Sequence, residues 1–139
     1  CLALHDPLHA SQMRLESGEL VIAYLDDLCI LTSRARARAA YNIVTEEVWS
    51  KAGIRPHAGK TEAWASGGGA APTGIAELSR RGDKPIWKGD LPVHQRGVDV
   101  LGSPVGSPEF VRARLAERAA EEAFSSSQPP SAPTSDVDE

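Results

Sequence analysis

The sequence predicts an α+β fold, and three observations carry that prediction. Two short apolar runs, residues 20–25 and 28–31, flank a pair of aspartates and read as the strands of a tight hairpin. Ala40, Val44 and Val48 repeat every four residues, with Ile43 and Ala52 alongside, which is the apolar stripe of a helix that packs on a sheet. Ser107-Pro108-Glu109 has the chemistry of a helix start: a hydroxyl at the cap, proline in the first turn, then an acid.

Residues 1–16 are helical in composition, with Pro7 marking a first turn or a kink. Ser17-Gly18 breaks that helix. The hairpin then spans residues 19–32, its strands Glu19 to Tyr24 and Leu28 to Thr32, each unbroken enough in apolar character to read as buried. Ser33 is the expected cap of a helix over residues 34–52, and Gly53 with Pro56 ends it. A solvated face explains Arg34, Arg36 and Arg38 on its first turns better than phosphate contact does. Thr61 to Trp64 reads as a short strand, residues 66–73 as a glycine-rich loop, and Ile75 to Arg80 as a short helix. Residues 82–97 mix Gly, Pro and charge, and suit irregular chain or a hairpin. Residues 98–101 form a strand ending at Gly102, and the last helix runs over residues 107–124. Residues 125–139 are rich in Ser and Pro, are acidic, and read as a disordered tail.

The aspartate pair carries the chemistry. Two adjacent carboxylates between apolar runs repel each other, and poor solvation raises that cost. A cation of high charge density offsets it, and hard oxygen ligands suit Mg2+ or Mn2+. An ordinary turn is the plain alternative, since aspartate is common in turns.

Three blocks, in order, resemble the carboxyl-terminal half of a reverse transcriptase palm. Tyr24-Leu25-Asp26-Asp27 resembles that family's Tyr-x-Asp-Asp signature. Residues 53–62, Gly-Ile-Arg-Pro-His-Ala-Gly-Lys-Thr-Glu, resemble the stretch after the palm helix, with His57 where the family has asparagine. Residues 100–106, Val-Leu-Gly-Ser-Pro-Val-Gly, resemble the primer-grip segment. The resemblance covers residues 20–106 and leans toward the non-LTR retrotransposon type. It implies a partial palm over residues 1–106: an antiparallel hairpin with helices on one face and nucleic acid on the other.

The resemblance also implies an activity: RNA-directed DNA synthesis, which adds deoxynucleoside triphosphates to a DNA primer on an RNA template by two-metal phosphoryl transfer. Asp26 would be the main metal ligand and Asp27 the supporting one. Tyr24 would lie beside the primer terminus, and Leu101-Gly102 would meet the primer backbone. Lys60 would assist the leaving pyrophosphate, although an exposed lysine at a strand start explains it equally well. The family uses a third carboxylate on an upstream strand. Asp6, Glu16 and Glu19 are the candidates in residues 1–19, and none lies on a suitable strand. The isolated chain is therefore expected not to polymerise. The alternative is a noncatalytic nucleic-acid-binding or interaction module derived from a retroelement; a third possibility is an unproductive remnant with an exposed apolar strand edge.

Composition narrows the field. The length, 139 residues, suits one domain. Three of the four net negative charges lie in the tail (Asp136, Asp138 and Glu139), so residues 1–124 carry −1 and bulk charge announces no nucleic-acid binder. Cys1 and Cys29 make no disulfide framework, and Cys29 reads as a small apolar residue. No apolar run reaches membrane-spanning length, and an intracellular location is the default expectation. The opening Cys within helix-like sequence reads as a piece of a longer protein. Gly59-Lys60-Thr61 lacks the earlier glycine of a phosphate loop. His5 and His9 have zinc-site spacing, but Pro7 between them threatens the helix that would align them. Trp49 is expected in the core, while Trp64 and Trp87 suit either packing or base stacking.

Overall fold

The computed structural model describes residues 2–25, 27–80, 82 and 84–127. Among these residues the fold is mixed α+β, with three helices and two separate antiparallel hairpins. Helix α1 spans His5–Arg14 and follows a 3-10 turn at Leu2–Leu4. Pro7 lies in its first turn, where a missing N–H costs nothing because those N–H groups have no partner inside the helix. Ser11 Oγ donates to the Pro7 carbonyl at 2.7 Å, and both residues are buried.

Strands β1 (Leu20–Tyr24) and β2 (Asp27–Leu31) pair antiparallel, with Leu20 opposite Leu31 and Tyr24 opposite Asp27. Helix α2 spans Ala37–Ala52 and is preceded by a 3-10 turn at Arg34–Arg36. Its buried residues are Ala40, Val44 and Val48, the stripe visible in the sequence. Val44, Val48 and Leu4 form the core, with Leu8, Val21 and Ile30 packed on it. Val21 and Ile30 are register partners, so they share one face of the hairpin, and that face meets the helices. Gly53 ends α2 at φ +67, with its N–H bonded to the Trp49 carbonyl at 2.9 Å. Ser33 does not cap with its side chain; the 3-10 turn takes up the start of the helix instead.

Two expectations fail here. The strands are expected to be buried, and Trp49 is expected in the core. Yet Leu20, Leu31 and Tyr24 are 43%, 50% and 56% exposed, and Trp49 is 48% exposed. The pleat sends Leu20, Ile22, Tyr24, Cys29 and Leu31 to the face opposite Val21 and Ile30. Both packing helices lie on the other side. Trp49 directly follows Val48, which points its own side chain away from the buried stripe.

The middle of the chain is irregular. The expected strand over Thr61 to Trp64 reduces to one parallel bridge, Ala63 to Trp87. The expected helix over Ile75 to Arg80 reduces to a 3-10 turn at Ala76–Leu78. Ile75, Ile86 and Trp87 are buried, so Trp87 packs where Trp49 does not. Its indole N–H donates to the Gly69 carbonyl at 2.8 Å and pins the glycine-rich loop.

The second hairpin joins β3 (Gly97–Val100) to β4 (Ser103–Gly106), and α3 (Pro108–Ser126) packs against it. Ser107 caps α3, accepting from the Phe110 N–H at 3.1 Å. Strand β4 is not evident in the sequence, because Ser103, Pro104 and Gly106 are weak strand formers. Ser125 and Ser126 belong to α3 rather than to a tail, and the remainder of the expected tail, residues 128–139, lies outside the described residues.

The arginines expected on a solvated face tie these parts together. Arg34 donates to the Gly68 carbonyl and lies over the Trp87 ring, 5.3 Å from its centroid. Arg38 bonds Asn42 and the Gly74 carbonyl. Arg36 pairs with Glu16 and Glu19.

Candidate active site

The site begins at the turn of the first hairpin. Tyr24 and Asp27 face each other as the closing pair, so residues 25 and 26 form a two-residue connection. Such a connection matches strand twist only with positive φ at its first residue. Leu25 meets that demand at φ +52, although leucine is disfavoured there, and its side chain is 72% exposed. Asp26, the expected main ligand, lies outside the described residues. Asp27 is exposed, and among the described residues its carboxylate forms no ion pair.

The structure brings Tyr24 and Asp27 together and leaves the other candidates elsewhere. Lys60 ends a 3-10 turn at Ala58–Lys60, is exposed, and donates its backbone N–H to the His57 carbonyl at 2.9 Å. Leu101 and Gly102 form the turn of the second hairpin, at φ +51 and +82. Arg118 holds that turn to α3 by donating to the Gly102 carbonyl at 2.6 Å. Arg118 and Arg114 both reach Asp99, and Asp99 and Glu117 hold Arg114 more firmly protonated than usual. Among the described residues, no hydrogen bond or ion pair links the first turn to Lys60 or to Leu101-Gly102.

The other acids have different work. Glu19 is buried at the base of the hairpin, the opposite end from Asp27. Five strand positions separate Glu19 from Tyr24, roughly 17 Å. Glu19 Oε2 accepts from Thr32 Oγ1 at 2.6 Å, and Oε1 accepts from the Glu16 N–H and from Arg36. Burial pushes its carboxyl up, but Thr32, the Glu16 N–H and Arg36 overcome this and hold it below the ordinary range. Asp6 is exposed beside His5. Burial also pushes the Cys29 thiol up, which keeps it protonated and in keeping with an apolar role.

Asp27 is a hard oxygen donor suited to Mg2+ or Mn2+. Among the described residues, no group of three or more His, Cys, Asp or Glu is placed to hold a metal ion. His5 and His9 are both exposed on α1. No described helix is long and apolar enough to cross a membrane. The Glu19 cluster is what sequence reasoning missed; its only signal was an acid abutting an apolar strand, with Arg36 downstream.

Comparisons with protein-family models, with curated proteins and with solved structures gave no match.

Proposed function

We propose that this chain is the carboxyl-terminal part of the palm of a retroelement RNA-directed DNA polymerase, and that alone it does not polymerise. The observation that carries the reading is the hairpin tip. Tyr24 and Asp27 close a two-residue turn, exposed at the end of a hairpin backed by helices on one face. The left-handed Leu25 adds weight, because backbone strain concentrates where geometry serves function.

In this reading Asp26 and Asp27 hold Mg2+ or Mn2+ in the longer protein, and Tyr24 supports the primer terminus. When bound, the metals would activate the primer 3′-hydroxyl and stabilise the leaving pyrophosphate. Glu19 is not the third carboxylate, since Arg36 and Thr32 engage it at the far end of β1. That carboxylate must come from outside this chain, together with the surfaces that hold template RNA and incoming deoxynucleoside triphosphate.

Two measurements test the proposal. Mg2+ or Mn2+ binding, followed by calorimetry, should weaken on Asp26→Asn and on Asp27→Asn. Unchanged binding would favour a noncatalytic module. Primer extension with the isolated chain should yield no templated product, and robust synthesis would overturn the claim of incompleteness.

A further inference from the structure

One arginine differs from the others whose side-chain bonds are described. Those with described side-chain bonds, from Arg14 to Arg118, all donate to oxygens. Among the described residues Arg55 donates to none. Its guanidinium instead lies over the Trp49 ring, 4.0 Å from the centroid. A guanidinium carries five N–H donors, and none of those of Arg55 has an acceptor among the described residues. Trp49 keeps 48% of its surface exposed with one ring face already covered, so the opposite face and the ring edge are what solvent reaches.

The segment is basic. From Trp49 to Lys60 the chain contains Lys51, Arg55, His57 and Lys60 and no carboxylate. Lys51 is partly engaged by Glu47 at 3.7 Å, whereas Arg55 and Lys60 form no ion pair among the described residues. Gly53, in the left-handed conformation, folds the chain back so that Arg55 reaches the tryptophan six residues before it.

An exposed indole beside free cationic donors fits one class of partner well. A nucleobase stacks on the open ring face, and the guanidinium takes the adjoining phosphate through two parallel N–H donors. A duplex keeps its bases stacked inside, so the complementary partner is single-stranded. We infer that Trp49 and Arg55 form a docking point for single-stranded nucleic acid. This surface lies outside the aspartate turn, and the inference does not rest on the polymerase reading.

The test is fluorescence anisotropy of the purified chain with a labelled thymidine oligonucleotide of about twelve nucleotides, in about 50 mM salt with EDTA. The chain should bind, and it should bind the single strand more tightly than a duplex of the same length. Trp49→Ala and Arg55→Glu should each weaken binding about five- to one-hundred-fold. Trp49→Phe should retain most of the binding. Arg112→Ala, which removes a basic side chain on α3, should leave it unchanged. Because Trp49 and Arg55 are both exposed, circular dichroism should show intact folding in each variant. No binding, equal affinity for duplex, or an equal loss in Arg112→Ala would overturn the inference. Because the assay contains no divalent metal, failure of the catalytic reading would leave its outcome unaffected.

Discussion

Arg36 reaches Glu19 through two nitrogens, Nε and Nη2, each 3.2 Å from the same carboxylate oxygen, and so fastens the start of α2 to the base of the first hairpin. Thr32, at the end of the hairpin, donates to the other oxygen. One buried acid thus joins the entry of β1, the exit of β2 and the turn before α2. Its folded-state carboxyl lies below the ordinary value of 4.5, so in acid the unfolded chain binds a proton more readily than the folded one. The stabilisation is present above that value and is lost as pH falls through the folded one. Thermal melts should therefore show a decline in Tm below about pH 4.5. Glu19→Gln should cost about 1–3 kcal/mol at pH 7 and flatten that decline. An acid limb of unchanged slope in the variant would refute the assignment.

Gln12 treats the edge of β1 as a neighbouring strand would. Its Oε1 accepts from the Val21 N–H at 3.1 Å, and its Nε2 donates to the Glu19 carbonyl at 2.8 Å. A side-chain amide presents one acceptor and two donors, so it can stand in for a peptide group. Gln12→Ala should free this edge at a cost of about 1–2 kcal/mol. Hydrogen exchange should report the loss locally, with the Val21 amide accelerated more than the amides of α3. Uniform acceleration across both regions would show that Gln12 acts through global stability instead.

Much of this was legible in the sequence, and the failures have physical causes. The Ala40, Val44 and Val48 stripe, the Gly53 stop and the Ser107 cap all follow from local rules, and each stands in the structure. The hairpin was legible as well, because its apolar runs and its turn are contiguous. Coverage was not legible: burial of Leu20 and Leu31 depends on what packs from elsewhere, and periodicity carries no such information. The same limit exchanged Trp49 for Trp87 in the core. Glu19 and Arg36 lie 17 residues apart, a pairing that no spacing rule predicts. At the candidate site, Tyr24 and Asp27 close the hairpin as a register pair, while Lys60 and Leu101 stand on elements whose placement depends on irregular chain.

Leu101 occupies the first position of a two-residue turn at φ +51, followed by Gly102 at φ +82. This matches the type in which both central residues take positive φ and Asn-Gly is the preferred pair. Leucine there has a Cβ too close to its carbonyl, costing roughly 1–2 kcal/mol. Leu101→Asn should relieve part of that and raise stability by about 0.5–1 kcal/mol, read as a higher urea midpoint at unchanged slope. A lower midpoint would mean that the leucine side chain, 41% exposed, contributes more by packing than its backbone costs.

Gly97 and Gly106 are register partners, and together they seat the buried ring of Phe110. A methyl group at either glycine would meet that ring, so Gly97→Ala and Gly106→Ala should each destabilise by about 1–3 kcal/mol through overpacking. The two differ in what else stands nearby. At Gly97 the closest atoms all belong to Phe110. At Gly106 the obstacles also include the Arg96 carbonyl oxygen and the Gly97 Cα, the latter 2.6 Å from the added carbon. Phe110→Ala alone should cost about 3–5 kcal/mol by leaving a cavity. In that background Gly97→Ala should become nearly neutral, because the ring it struck has gone. Gly106→Ala should remain costly, because backbone cannot yield as a side chain can. Double-mutant cycles from urea denaturation measure both couplings. Equal couplings for the two glycines would show that backbone crowding, rather than the Phe110 ring, dictates glycine at position 97.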